Sequence, residues 1–276
     1  MYPMDPTSTE ILLEICVDSF ESAIAAVLGG ANRIELCSAL SEGGLTPTVG
    51  LLRELKRCIA ASSRNVPVYC MIRCRRGNDF HYNSHEISIM TLDLEMLAAN
   101  GADGFVFGAL DEFGNVHREH CKQIVAAAHR TGIVPITFHR AIDCTPVDKL
   151  KGNLQLIAEL GFNTVLTSGL KPTAIQGVNT IAEMKSIVDE INKRLPRQLH
   201  IMPGSGVSKE NVVTLLKLTD CRAIHGSASI EKAPAETCGT LGGNNVDSLP
   251  LRVCSQSIVE DLRRLIDDEF RKDNTQ

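Results

Sequence analysis

Short apolar runs recur along the chain about every 20 to 35 residues, and each is followed by a stretch with the apolar spacing of an amphipathic helix. We interpret these units as eight strands, each followed by a helix. The predicted strands cover residues 11–17, 33–37, 67–73, 104–108, 134–139, 164–168, 200–203 and 222–226.

Helix-ending and helix-capping residues between the apolar runs agree with this alternation of strands and helices. Gly30, Gly101 and Gly161 each stand between a helical pattern and the next strand. A helix often ends there in a residue with left-handed backbone conformation, which glycine adopts most easily. Asp18 and Ser84 precede helical patterns and are the predicted N-terminal caps. The chain therefore reads as a series of β-α units.

Eight parallel strands with intervening helices close most simply into a (β/α)8 TIM barrel, here one domain over residues 1–276. The alternative is an open doubly wound sheet, which a glycine-rich dinucleotide fingerprint after the first strand would favour. Residues 18–21 read DSFE instead, so we predict the barrel.

Residues 1–10 are a predicted N-terminal extension. Residues 231–255, rich in glycine, proline and asparagine, are a predicted irregular segment before the last helix, serving as a flap, a subunit contact or a disordered loop.

Composition narrows the class of protein. Apolar residues make up 43% of the 276, enough to bury a large core. The net charge of -5 argues against nucleic acid or an anionic membrane surface as a partner. No apolar run reaches a membrane span, and the N-terminus lacks a basic and apolar leader. We expect a cytosolic protein, with import into the nucleus left open.

The ten cysteines form no CxxC pair, which argues against a zinc cluster or a redox motif of that type. In the reducing cytosol most of them are expected to be small buried hydrophobes or surface thiols. This applies to Cys58, Cys70, Cys121, Cys144, Cys221, Cys238 and Cys254.

Ionisable residues interrupt strands that should be apolar. Because strand side chains alternate between faces, Glu14 shares a face with Cys16, and Glu35 shares one with Cys37. Two neighbouring strands thus carry the same Glu-x-Cys ending. A barrel interior is normally filled with aliphatic residues, so charges near the C-terminal strand ends need partners.

Opposite charges are predicted at the same rim. Arg73 ends the third strand, His139 ends the fifth and Asp143 follows it, so they should converge with Glu14 and Glu35. Paired carboxylates, arginine and histidine are suited to acid-base chemistry on a small anionic or phosphorylated metabolite. The alternative is a structural network of satisfied charges. For the set as a whole, we favour a functional pocket.

Two loops at the same rim expose backbone N–H groups. Ser168 and Gly169 follow the sixth strand, and Gly204, Ser205 and Gly206 follow the seventh. Barrels often bind phosphate with such loops, so these five residues are a candidate anion site. Tight β-α turns that need glycine for conformational reasons are the alternative.

Cys16 and Cys37 end adjacent strands, whose axes lie roughly 4.8 Å apart. Soft paired thiolates select Cu(I), whereas a zinc site would need two further Cys or His ligands. Two structural thiols are the other interpretation, because neighbouring barrel strands are staggered and the sulfurs need not be level.

A series of motifs in this order resembles the CutC copper homeostasis family over about residues 11 to 230. The matching segments are 14–19 (EICVDS), 33–38 (RIELCS), 40–47 (LSEGGLTP), 71–73 (MIR), 101–108 (GADGFVFG), 137–141 (TFHRA), 166–169 (LTSG) and 225–228 (HGSA). The resemblance implies a (β/α)8 barrel, a cytosolic homodimer or homotetramer, and a role in copper handling. It also implies that Cys16 and Cys37 are the Cu(I)-binding cysteines.

The chain departs from the family at two loops. Where the family has Arg-Pro-Arg-Gly-Gly-Asp-Phe, residues 73–80 read RCRRGNDF, with Cys74 in place of proline and one extra residue near Asn78. Residues 204–206 read Gly-Ser-Gly instead of Gly-Gly-Gly. Three functions therefore stay open: a Cu(I)-binding homeostasis protein, a TIM-barrel enzyme, or an oligomeric scaffold with structural cysteines.

Overall fold

The structure is a computed structural model that describes residues 10–232 and 251–273, and it contains all eight predicted strands. The strands are β1 (Leu12–Val17), β2 (Arg33–Leu36), β3 (Val68–Met71), β4 (Gly104–Phe107), β5 (Ile136–Phe138), β6 (Thr164–Thr167), β7 (His200–Pro203) and β8 (Ala223–Gly226). The helices are α1 (Phe20–Gly29), α2 (Val49–Ala61), α3 (Ser84–Ala99), α4 (Arg118–Arg130), α5 (Leu150–Leu160), α6 (Val178–Asn192), α7 (Val212–Thr219) and α8 (Gln256–Asp273).

The eight strands form one parallel sheet in the order β7-β6-β5-β4-β3-β2-β1-β8. The two outer strands, β7 and β8, contact each other, so the sheet curls into a nearly closed barrel with the helices outside. The prediction of a (β/α)8 TIM barrel is confirmed. Strand β8 is hydrogen-bonded to β1, so the first and the last strand of the barrel are neighbours although they lie about 200 residues apart in the sequence.

The glycines predicted to end helices are confirmed. The two predicted N-terminal caps, Asp18 and Ser84, are each wrong by one residue. Gly30, Gly101 and Gly161 have φ of 99°, 98° and 95°, as left-handed helix ends require. Helix α1 is capped by Ser19 and α3 by Asn83, because these residues have the extended backbone that aims a side-chain oxygen at the first turn.

The segment before the last helix is more regular at its ends than predicted. Strands β9 (Ser229–Lys232) and β10 (Leu251–Cys254) pair antiparallel, with Val253 opposite Ile230, so two short strands flank the segment predicted as irregular over 231–255. Residues 229–232 read SIEK, with a single apolar residue, so the sequence does not mark them as a strand. Residues 233–250, with Cys238, lie outside the described residues, as do residues 1–9 of the predicted extension.

Aliphatic side chains fill the layer between the strands and the helices, whereas the barrel interior is largely polar. Ile15, Ile34 and Leu36 point outward from β1 and β2 and are completely buried. The alternate residues point inward, among them Glu14 and Glu35, which are 0% and 3% exposed. Burying such groups costs free energy unless they are paired, so their partners decide what the interior can do.

Candidate functional site

Glu14 lies at the centre of a buried network where the barrel closes. Strand β1 is flanked by β2 and β8, and the register places Arg33 on one side of Glu14 and His225 on the other. Arg33 Nε donates to Glu14 Oε2 at 2.5 Å, and His225 Nδ1 lies 2.7 Å from Glu14 Oε1. Both carboxylate oxygens are therefore occupied.

The charge state of Glu14 follows from these contacts. Burial opposes its ionisation, but Arg33 and then His225 hold its pKa at about 2, below the usual 4.5. The Arg33 guanidinium also lies 4.3 Å from the ring centroid of Tyr69 and 3.5 Å from Met202 Sδ. Glu14, predicted as a pocket carboxylate, thus forms an ion pair with Arg33 in the barrel interior.

A cluster of side chains that could bind a metal lies two residues farther along the strands than this ion pair, nearer the barrel mouth. Cys16, Glu35 and His225 each offer a donor atom, and these atoms lie within 4.8 Å of one another. Among residues 10–232 and 251–269, this is the one group of three or more such side chains. Register explains it, because Cys16 is opposite Glu35 on β2.

His225 bridges the ion pair and the cluster. Its Nδ1 faces Glu14, and its Nε2 lies 4.0 Å from Glu35 Oε1. Burial opposes protonation of the ring, but Cys16, Glu35 and Glu14 together raise the pKa of His225 well above its usual value. The ring is therefore protonated, with its Nδ1–H toward Glu14 and its Nε2 toward the cluster, so a metal ion bound there would have to displace the Nε2 proton.

Glu35 differs from Glu14 because, among the described residues, no cationic side chain donates a hydrogen bond to it, and His225 Nε2 stays 4.0 Å from its Oε1. Burial, opposed by His225 and reinforced by Glu14, raises the pKa of Glu35 to about 7. Its Oε2 is buried without a hydrogen-bond partner. The two inward carboxylates thus have widely separated pKa values, because Arg33 and His225 both donate directly to Glu14.

The two candidate copper cysteines are not level. Cys16 is opposite Glu35, and Cys37 lies two residues farther toward the mouth. The Cys37 thiol donates to Glu35 Oε1 at 3.7 Å, so this carboxylate stands between the two cysteines. Burial, and then the charge of Glu35, raises the pKa of Cys37 well above its usual value. Burial also raises the pKa of Cys254 on β10 to about 12, with a further contribution from Cys16.

Arg73 and His139 lie farther around the mouth, against Phe80. The Arg73 guanidinium carbon is 5.2 Å from the Phe80 ring centroid, and the His139 and Phe80 centroids are 4.9 Å apart. Neither residue forms an ion pair or hydrogen bond with Glu14 or Glu35 in the described part of the chain. The predicted five-residue pocket is therefore divided into two groups.

Asp143 organises the loop after β6 and contacts neither group. It accepts hydrogen bonds from Thr167 Oγ1 at 2.5 Å, Ser168 N at 3.0 Å and Leu170 N at 3.2 Å. Arg140 Nε donates to it at 2.9 Å. With both oxygens occupied, Asp143 holds this loop in place.

The predicted anion site has lost most of its donors to internal bonds. The N–H of Ser168 is bound by Asp143, the N–H of Gly169 donates to Thr167 Oγ1, and the N–H of Gly204 donates to the Thr167 carbonyl. These three groups are therefore not available to a ligand.

Ser205 and Gly206 have left-handed φ of 80° and 69°. The Ser205 hydroxyl donates to the carbonyl of Pro172 at 2.8 Å. For these two residues the anion site stays a prediction.

Sequence reasoning did not include His225 among the site residues. In the sequence it stands only within the eighth predicted strand, 222–226, and in the segment 225–228 (HGSA). The available signal was barrel closure, which puts the eighth strand beside the first and aligns His225 with Glu14.

A sequence model described as the CutC family matches residues 11–230. A copper homeostasis protein cutC homolog of Caenorhabditis elegans is 42% identical over 256 residues, which cover 93% of this chain and 94% of that protein. The Drosophila melanogaster homolog is 42% identical over 219 residues, covering 79% of this chain and 78% of that protein.

Solved structures give a consistent result. The crystal structure of a copper homeostasis protein CutC from Streptococcus agalactiae superposes with a TM-score of 0.69 at 29% identity, covering 79% of this chain and 98% of that one. Rubisco from Pyrococcus horikoshii superposes with a TM-score of 0.64 at 13% identity, covering 95% of this chain and 59% of that one. The second similarity concerns the barrel fold alone.

Proposed function

The chain belongs to the CutC family, and from this premise we propose that it binds Cu(I) at the mouth of its barrel through Cys16, His225 and Cys37. The family supplies the link to copper homeostasis. The structure groups Cys16 and His225 with Glu35. Cys37, expected from the sequence, is included in the proposal because its thiol is hydrogen-bonded to Glu35 at the edge of this group.

The observation that carries the proposal is the hydrogen bond between Glu14 and His225. A metal-binding histidine usually gives its second ring N–H to a carboxylate, which fixes the tautomer and the direction of the ligand nitrogen. At 2.7 Å, Glu14 holds the Nδ1 proton, so His225 Nε2 is the nitrogen left beside Cys16. A ring serving only as packing would not need this orientation.

The donor set favours Cu(I) over other ions. Thiolate and imidazole are soft to borderline ligands that suit Cu(I), whereas calcium and magnesium require oxygen donors. Zinc would need four ligands in a tetrahedral arrangement, and Glu35 would have to serve as one of them. Glu35 is better explained as the acceptor of the Cys37 thiol proton, since it already holds that hydrogen bond at 3.7 Å.

Binding of Cu(I) to the reduced protein, measured by competition with a chromogenic chelator, tests the proposal. The Cys16→Ser/Cys37→Ser double variant should lose most of the affinity, and His225→Gln should weaken it while leaving both thiols. Cys58→Ser/Cys144→Ser is the matched control, because it also removes two thiols but on α2 and in an exposed loop. Equal Cu(I) affinity of the native chain and the Cys16/Cys37 variant would remove the hypothesis.

Cytosolic location and assembly into a homodimer or homotetramer complete the proposal. None of the helices in the described ranges is long and apolar enough to cross a membrane. An exposed apolar stripe on α3, formed by Ile89, Leu92 and Met96, supports a contact with a second copy of the chain. These three side chains are 50%, 62% and 56% exposed.

A further inference from the structure

Arg73 is a buried cation whose charge has no partner among the described residues. It is 4% exposed and follows β3 at the barrel mouth. Its Nη1 donates to the carbonyls of Gly43 and Gly44 at 2.9 and 3.2 Å, and its Nη2 donates to that of Gly77 at 2.7 Å. These bonds satisfy the terminal nitrogens, but carbonyl oxygens do not neutralise the charge.

The neighbouring arginines show what is missing. Arg75 pairs with Asp79 and Glu86, at 3.0 and 2.5 Å, although it is far more exposed than Arg73. Arg73 has no carboxylate within ion-pair distance in the part of the chain that the structure describes. Tyr82 does not supply a counter-charge either, because burial raises its pKa to about 12.

Three buried donors in this region have no hydrogen-bond partner among residues 10–232 and 251–273. They are Nε of Arg73, Nε2 of His139 and Oγ1 of Thr137, in side chains that are 4%, 4% and 0% exposed. A buried donor left unpaired costs about 1–3 kcal/mol. Three such donors, one of them on Arg73 itself, indicate a site for an acceptor.

The tautomer of His139 is set by its backbone. The N–H of Ala141 donates to His139 Nδ1 at 3.2 Å, so the ring proton is on Nε2. Burial, and then the charge of Arg73, lowers the pKa of His139 to about 3. The ring is therefore neutral at physiological pH, and its Nε2 is a donor only.

The three side chains belong to neighbouring parts of the barrel interior. Thr137 and His139 are two residues apart along the β5 direction, so they share the inner face of the barrel. The Phe80 ring packs against both Arg73 and His139. Gly108 makes room for the ring, since a Cβ there would lie 2.6 Å from His139 Nδ1.

We propose that Arg73, His139 and Thr137 form a binding subsite for the carboxylate group of a small organic acid, separate from the copper site. All three groups donate and one carries a positive charge, so the ligand must be an anion with oxygen acceptors. One charge and three donors match a carboxylate. A phosphate dianion would be supported by the loops after β6 and β7, but the N–H groups of Ser168, Gly169 and Gly204 are already bound.

Binding of acetate and malonate to the native chain, measured by calorimetry and by thermal unfolding at constant ionic strength with chloride as the reference salt, tests the subsite. Both carboxylates should bind saturably and stabilise the protein by mass action. Thr137→Val is the principal variant, because it is isosteric, removes only the hydroxyl and should fold. It should weaken acetate binding by about fivefold or more, as expected for the loss of one buried hydrogen bond.

Thr91→Val on α3 is the matched control and should bind acetate like the native chain. Arg73→Lys keeps the charge but loses the Nε donor, so it should bind acetate more weakly while remaining folded. Failure of acetate and malonate to bind at millimolar concentrations would overturn the proposal. So would binding that Thr137→Val leaves unchanged, or phosphate binding in preference to both acids.

Discussion

Glu14 Oε1 lies 2.7 Å from His225 Nδ1, across the line where β8 closes onto β1. This contact joins residues 211 positions apart in the chain, and Arg33 on β2 completes it from the other side. A single carboxylate thus links the closure of the barrel to the orientation of a proposed copper ligand. Fold stability and copper affinity should therefore both depend on Glu14.

Glu14→Gln should destabilise the protein by about 3–5 kcal/mol, because it leaves the buried Arg33 charge without its partner. It should also lower Cu(I) affinity by about 10-fold to 100-fold, since His225 loses the carboxylate that orients it. Denaturant unfolding and chelator competition measure the two effects. Glu21→Gln, which removes only an exposed pair with Lys232, is the control and should change stability by less than about 1 kcal/mol. Unfolding of Glu14→Gln at the native denaturant midpoint would contradict this role.

The buried neutral His139 should make stability depend on pH. Its pKa is about 3 in the folded protein against about 6.5 in the unfolded chain, so below pH 6.5 the unfolded state binds more protons. Stability should therefore fall as the pH is lowered through 6.5, with a loss from this residue of about 2 kcal/mol by pH 5.

Unfolding curves of the native chain and His139→Gln at pH 7 and pH 5 isolate this contribution, because the other titrating groups are common to both. The native chain should lose more stability between the two values than the variant. His85→Gln, at an exposed position on α3, should follow the native curve. Parallel curves for native and His139→Gln would argue against a neutral buried ring.

Gly108→Ala should destabilise the protein by about 1–3 kcal/mol, because the new methyl group would meet the His139 ring at 2.6 to 2.7 Å. The ring would have to move from its place beside Phe80. Gly50→Ala in α2 is the matched control: its Cβ has no atom within 4 Å, and alanine favours helix, so the change should be neutral or stabilising. Thermal unfolding of both variants checks the difference. Equal melting temperatures of the two variants would mean that the His139 ring is not packed closely against Gly108.

The apolar stripe on α3 predicts self-association. Light scattering should give a mass near twice or four times the 30.0 kDa of one chain, and Leu92→Glu should shift it toward the single chain. Lys122→Glu on α4 makes a charge change outside the stripe and should leave the mass unchanged. A native mass near 30.0 kDa at all concentrations would rule out the oligomer.

The fold could be predicted from sequence because its signals are local. Alternating apolar runs identified all eight strands, and glycines such as Gly30 and Gly161 marked helix ends that have φ near 95° to 99°. The polar caps were displaced by one residue, since Asp18 and Ser19 are equally good caps until the backbone angles are known.

The site could be predicted only in part because it depends on register. Alternation correctly put Glu14 and Glu35 on the inner face, but it could not show that Glu35 would stand between Cys16 and Cys37. That result follows from the tilt of the strands, which offsets neighbours along the barrel. Partner identity is also nonlocal. Arg33 makes Glu14 an ionised pair member, while Glu35 on the next strand keeps a pKa of about 7.

X-ray absorption at the copper edge of the reduced, Cu(I)-loaded protein tests the copper account most directly. The predicted spectrum contains sulfur scattering from two cysteines together with the multiple-scattering pattern of one imidazole. The imidazole pattern should disappear in His225→Gln, and the sulfur scattering in Cys16→Ser/Cys37→Ser. A native spectrum without sulfur, or one that these substitutions leave unchanged, would contradict Cu(I) binding at the barrel mouth.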